Sequence, residues 1–102
     1  MGIKKQFLKS KPECKVTFTL PKKAVEKAGK VTLVGEFNNW SESATPMQKQ
    51  KNGGFTVSLN LPTGREYQYR YLLDGIHWEN DWQADKYMPS GIPGVENSVV
   101  IL

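Results

Sequence analysis

The chain has 102 residues, of which 38% are hydrophobic and 24% charged, so it suits one domain with one core and is too short for a (β/α)₈ enzyme scaffold of roughly 250 residues. No apolar run approaches the roughly 18 residues of a membrane span, and the lysine-rich start lacks the apolar segment of a secretory signal. The net charge of +4 is uneven, because nine lysines and two glutamates give residues 1–30 a charge of +7, whereas residues 31–102 carry −3.

The single cysteine and the basic N-terminus bear on the compartment and the partners. Cys14 has no second cysteine with which to form a disulfide, which favours a reducing, cytoplasmic setting. We expect residues 1–12 to form a basic tail and residues 13–102 to form a single β-sandwich module. The lysines are not interleaved with aromatic residues as in single-strand binders, so we expect no nucleic acid and no membrane partner. Contact of the basic tail with RNA, DNA or anionic lipid is the less favoured alternative.

The first part of the chain consists of short strand patterns separated by turn residues, which is typical of an antiparallel β-sandwich. Val16, Phe18 and Leu20 alternate with threonines before Pro21, and Asn52-Gly53-Gly54 is a hairpin signal. In chain order we predict a strand over 16–20, one or two helical turns over 22–28, a strand over 31–34, a polar loop over 38–46, a short edge strand over 47–51 and a half-buried strand over 55–61.

The second part of the chain carries the most regular alternation. Tyr67, Tyr69 and Tyr71 lie on one face of a predicted strand, and Gln68 and Arg70 lie on the other. The chain then turns through an Asp-Gly pair at 74–75. After it we predict a short segment over 76–78, an extended polar loop over 79–96 and a last strand over 99–102.

Catalytic and metal-binding chemistry find little support in the residue types present. With one histidine and one cysteine there is no cluster for a transition metal, and we expect no cofactor. Glu79, Asp81 and Asp85 form a solvated acidic loop in the favoured interpretation, and an oxygen-ligand cation site is the alternative. A nucleophile built on Cys14 and His77 has no third partner. We therefore expect a protein that is not an enzyme.

The three tryptophans are the sharpest signal of a binding function. Trp40, Trp78 and Trp82 all fall in loops or at strand ends, whereas a sandwich core takes its tryptophan from a mid-strand position. Trp40 follows a turn through Phe37 and two asparagines, so its indole is either a lid on the core or a flat platform for a ligand. If it is a platform, Phe37 is the expected buried anchor of the turn.

Two polar residues accompany these tryptophans. Arg70 offers a planar fork of donors, and Asn97 offers one donor group and one acceptor, which suits paired sugar hydroxyls. The alternatives are that Arg70 pairs with Glu66 or Asp74 and that Asn97 braces a turn.

Four stretches of the chain carry a family resemblance in the family's own order. They are VTLVGEFNNW (31–40), LPTGREYQYRYLLDG (61–75), the following Trp78 and GVENSVV (94–100). In this combination the chain resembles carbohydrate-binding module family 48. That family includes the glycogen-binding domain of the AMP-activated protein kinase β subunit and the N-terminal early-set domains of isoamylases and glycogen branching enzymes.

The resemblance implies an immunoglobulin-like, all-β antiparallel sandwich that binds α-1,4-glucans such as glycogen, starch or maltooligosaccharides without catalysis. It implies that Trp40 and Trp78 stack on glucose, that Arg70 contacts sugar hydroxyls and that Asn97 hydrogen-bonds the sugar. The alternative is a protein-interaction sandwich that tethers or regulates a glucan-metabolising enzyme or kinase without binding sugar, with Trp82 in its exposed patch.

Overall fold

Strands separated by tight turns form two antiparallel sheets in the computed structural model, which describes residues 2–102. The first sheet has the order β1-β2-β5-β4. Its strands are β1 (Gly2–Phe7), β2 (Glu13–Leu20), β4 (Gln48–Lys49) and β5 (Phe55–Pro62). The second sheet has the order β3-β6-β9-β8, and β7 pairs with β6 beside β9. Its strands are β3 (Val31–Gly35), β6 (Glu66–Leu73), β7 (His77–Glu79), β8 (Lys86–Pro89) and β9 (Glu96–Ile101).

The two sheets pack face to face around one core, which confirms the predicted antiparallel β-sandwich. Alternation along β2 buries Val16, Phe18 and Leu20, and alternation along β6 buries the three tyrosines. Phe37 is half-buried in the 3₁₀ turn Glu36–Asn38 and packs against this core, with its ring centroid 5.7 Å from that of Phe18. The other 3₁₀ turn, Lys22–Ala24, lies in the predicted helical segment.

Three segments differ from the predictions. We predicted a tail over residues 1–12, but Gly2–Phe7 forms edge strand β1 and pairs with β2 along its whole length. The predicted loop over 79–96 contains strand β8, because Lys86–Pro89 pairs with β9. The last strand begins earlier than predicted, at Glu96. Asn97 therefore lies inside a strand rather than before it.

The outer face of the second sheet, which points away from the first sheet, carries the predicted site. Because side chains alternate along β6, Gln68, Arg70 and Leu72 point to this face while the tyrosines point into the core. Trp78 lies opposite Leu72 across the β6–β7 pair, so its indole shares the face. Over residues 2–102, no helix has the length and apolar character needed to cross a bilayer.

Candidate functional site

Trp40 is held outward by a turn that leaves β3 at Gly35. The side-chain oxygen of Asn38 accepts a hydrogen bond from the Gly35 N–H at 3.1 Å, and its amide nitrogen donates to Leu33 O at 3.0 Å. Asn39 and Trp40 then both adopt positive φ angles of 57°. This left-handed step turns the indole away from the core, and Trp40 keeps 38% of its surface exposed. Trp40 is therefore not a lid on the core.

Trp78 and Arg70 form a stacked pair on the outer face. The guanidinium carbon of Arg70 lies 4.6 Å from the centroid of the Trp78 ring, which is a cation–π contact. Trp78 is the central residue of β7 rather than a strand end, yet 40% of its surface is exposed. The indole is thus braced by a cation on one side and accessible elsewhere.

Arg70 has donor capacity to spare. Within residues 2–102 it forms no ion pair, since Glu66 pairs with Lys86 at 2.8 Å and Asp74 Oδ1 accepts from the Gly29 N–H. This rules out the alternative that Arg70 is neutralised by either acid. Its Nε is buried and has no hydrogen-bond partner, and burial lowers the pKa of Arg70 from its usual value. The side chain stays a cationic donor because arginine does not deprotonate in proteins.

Asn97 is an acceptor whose orientation is fixed by a neighbour. It is only 6% exposed, and its amide nitrogen donates to Gln68 Oε1 at 3.0 Å across the sheet. Its Oδ1 has no hydrogen-bond partner among residues 2–102. Asn97 therefore does not brace a turn. A buried acceptor left unbonded costs about 1–3 kcal/mol.

These residues meet at one cleft of about 270 Å³ on the outer face. Of the four predicted site residues, Trp40, Arg70 and Asn97 line the cleft, and Trp78 adjoins it through its contact with Arg70. Trp82, which is 52% exposed, does not line it. The cleft is also lined by residues that we did not predict: Glu36, Gln68, Ser90 and Ile92.

Only part of this larger set had a signal in the sequence. The alternation along β6 places Gln68 on the same face as Arg70, so Gln68 could have been predicted. Ser90 and Ile92 come from the loop after β8, where Ser90 Oγ donates to Val95 O at 2.8 Å and accepts from the Ile92 N–H. The conformation of this loop depends on hydrogen bonds within it, and no periodic pattern in the sequence predicts those bonds.

Asp81 corrects the prediction of a solvated acidic loop. It is fully buried, and its Oδ2 accepts hydrogen bonds from the hydroxyls of Tyr69 at 2.9 Å and Tyr71 at 3.3 Å. Burial raises the pKa of both tyrosines above their usual value, with Asp81 adding to the effect. Within residues 2–102, no group of three or more His, Cys, Asp or Glu side chains is placed to hold a metal ion.

The chemistry of the cleft is that of binding. It combines an exposed indole on a turn with a guanidinium that has no ion pair within residues 2–102 and an amide, both on strands, and a second indole lies beside them. Indoles contact flat apolar faces at little entropic cost, and the polar groups select the hydroxyls around them.

The comparisons with known proteins agree with this chemistry. A family model described as the glycogen recognition site of AMP-activated protein kinase matches residues 6–92. The match includes Trp40, Arg70 and Trp78 and ends before Asn97. Among curated proteins, none matches the chain.

Proposed function

This chain belongs to the family of the glycogen recognition site of AMP-activated protein kinase, and on that premise we propose that it binds α-1,4-glucans such as glycogen, starch or maltooligosaccharides. A carbohydrate-binding module family is non-catalytic, and we propose that this chain is likewise not an enzyme. The proposed ligand contacts are Trp40, Arg70, Trp78 and Asn97.

One observation carries the assignment of these residues to the site. The guanidinium of Arg70 contacts the Trp78 ring and lines the same cleft as Trp40 and Asn97. A donor without an ion pair and an acceptor without a hydrogen bond thus lie together next to exposed indoles. Neighbouring hydroxyls of a glucose ring offer the complementary acceptor and donor.

The physical division of labour follows from these groups. The C–H faces of successive glucose rings stack on the indoles of Trp40 and Trp78, which are rigid and so lose little entropy on contact. Arg70 donates to one sugar hydroxyl, and the amide of Asn97 hydrogen-bonds a second hydroxyl. Loss of a central indole is expected to cost roughly 2 kcal/mol, or about thirtyfold in affinity.

The test is calorimetric titration with β-cyclodextrin and with a linear maltooligosaccharide. We expect wild type to bind both, Trp40→Ala to lose about thirtyfold in affinity, and Asn97→Ala to lose less. Trp82→Ala is the matched control, because it removes an exposed indole outside the cleft. A β-1,4-linked glucan oligosaccharide serves as the control ligand. Absence of wild-type binding, or equal losses in Trp40→Ala and Trp82→Ala, would refute the proposal.

We also propose a protein partner and a compartment. The partner that we propose is a kinase or a glucan-metabolising enzyme, and the description of the family, which places its recognition site in a kinase, supports the first of these. The single cysteine, Cys14, is a buried free thiol, which supports a cytoplasmic location. Affinity capture from an extract treated with amylase, which removes glucan bridges, tests the partner directly.

A further inference from the structure

The segment that follows Trp78 is fastened to the strand that carries Asn97. Ser98 Oγ accepts a hydrogen bond from the Asp81 N–H at 2.8 Å and donates to Asn80 Oδ1 at 2.8 Å. The Asn80 amide nitrogen donates to Glu96 O at 2.9 Å. These three bonds join Asn80 and Asp81 to the residues on either side of Asn97, and we call them the Ser98 clamp.

Asp81 locks the clamp into the core. Besides the two tyrosine hydroxyls on Oδ2, its Oδ1 accepts from the Gln83 N–H at 2.9 Å, and its carbonyl accepts from the Tyr87 hydroxyl. Every polar atom of this buried residue therefore has a partner. Buried polar groups are tolerated when their hydrogen bonds are satisfied, and a fully satisfied network of this kind holds the residue in place.

The clamp is needed because β7 alone is a weak support for Trp78. β7 has three residues and pairs only with the end of β6, and such a short pairing frays readily without other contacts. Asn97, by contrast, lies in the six-residue strand β9, where it pairs with Met88 of β8 and its neighbour Ser98 pairs with Tyr69 of β6. The Ser98 clamp links β7 to β9. It joins Asn80 and Asp81, which lie two and three residues after Trp78, to Glu96 and Ser98, the residues on either side of Asn97.

We propose that the Ser98 clamp is a positioning element for glucan binding, which sets the Trp78 indole relative to Asn97 without touching the ligand. This inference rests on the proposed function. Binding sites lose affinity when supporting hydrogen bonds are removed, because the contact residues then sample positions that do not fit the ligand. Ser98 and Asn80 are positioning residues in this sense.

Ser98→Ala tests the proposal, since it removes both Oγ hydrogen bonds without substituting Trp78 or Asn97. We expect its β-cyclodextrin affinity to fall about tenfold, and we expect no further loss when it is added to Trp78→Ala. Ser58→Ala is a surface control for loss of a serine hydrogen bond away from the cleft, because exposed Ser58 Oγ bonds Thr17 Oγ1 at 2.8 Å on the first sheet. Asn80→Ala is the second variant, since Asn80 is only partly buried and this change leaves the core intact.

A second readout does not depend on sugar binding. In a Trp40→Phe, Trp82→Phe background Trp78 is the one remaining tryptophan. With excitation that selects tryptophan over tyrosine, we expect Ser98→Ala and Asn80→Ala to raise its quenching by acrylamide well below the unfolding temperature. Increased quenching in a protein whose wild type binds no glucan would refute the proposed function and leave the clamp supported. Unchanged quenching in both variants, or an affinity loss that persists in the Trp78→Ala background, would overturn the proposal that the Ser98 clamp positions Trp78.

Discussion

Trp40 presents its indole at a cost in backbone strain that can be measured. Its φ of 57° lies in the left-handed region, where a residue with a Cβ is less stable by about 1–2 kcal/mol. Trp40→Ala keeps that strain, whereas Trp40→Gly removes it, because glycine adopts positive φ freely. We therefore expect Trp40→Gly to be the more stable of the two by about 1 kcal/mol, although glycine is ordinarily the less favourable residue.

The assay is urea unfolding of both variants, with the same pair titrated against β-cyclodextrin. A difference of about 1 kcal/mol corresponds to roughly 4–8 °C in the midpoint of thermal unfolding for a domain of this size. Both variants lack the indole, so we expect both to lose glucan binding equally. If Trp40→Gly proves less stable than Trp40→Ala, the strained turn is not a device that presents the tryptophan, and the reasoning fails.

Two further predictions concern the core beneath the site. Burial raises the pKa of Tyr69 well above its ordinary value of 10.0, so the folded state retains a proton that the unfolded state releases, and stability falls as the pH rises above about 10. In urea unfolding between pH 8 and pH 11, we expect Tyr69→Phe to show a decline shallower by roughly 1.4 kcal/mol per pH unit above pH 10; parallel pH profiles would contradict this. At Gly35, an added Cβ would lie 2.7 Å from Gln68 O and 2.8 Å from Tyr69 Cβ. We expect Gly35→Ala to lose about 1–3 kcal/mol of unfolding free energy, and an unchanged urea midpoint would show that β3 and β6 can separate without cost.

The sheet strands with local alternation were predictable, and those defined by pairing were not. The tyrosine alternation along β6 marks both its core face and the face that carries Arg70. β1 contains two adjacent lysines, and β8 begins with a lysine and ends in a proline. They become strands because β1 hydrogen-bonds to β2 and β8 hydrogen-bonds to β9. These two edge strands contain no fully buried side chain, so they carry little apolar periodicity.

The candidate site was predictable where a motif or an alternation marked it. Trp40 and Arg70 stand in stretches that carry the family resemblance, and they line one cleft. The burial of Asp81 was not predictable, because its partners Tyr69, Tyr71 and Ser98 lie 10 to 17 residues away along the chain. An isolated aspartate between polar residues has the same local pattern whether it faces water or the core.

The Arg70–Trp78 stack also bears on how this chain behaves at high concentration. An exposed indole is a surface through which proteins associate nonspecifically, and a cation over its face covers part of that apolar area with a charged group. The charge repels an approaching Arg70 of another copy at the same surface. We therefore expect the guanidinium that we propose as a ligand contact to oppose self-association as well, so that Arg70→Ala lowers both glucan affinity and solubility.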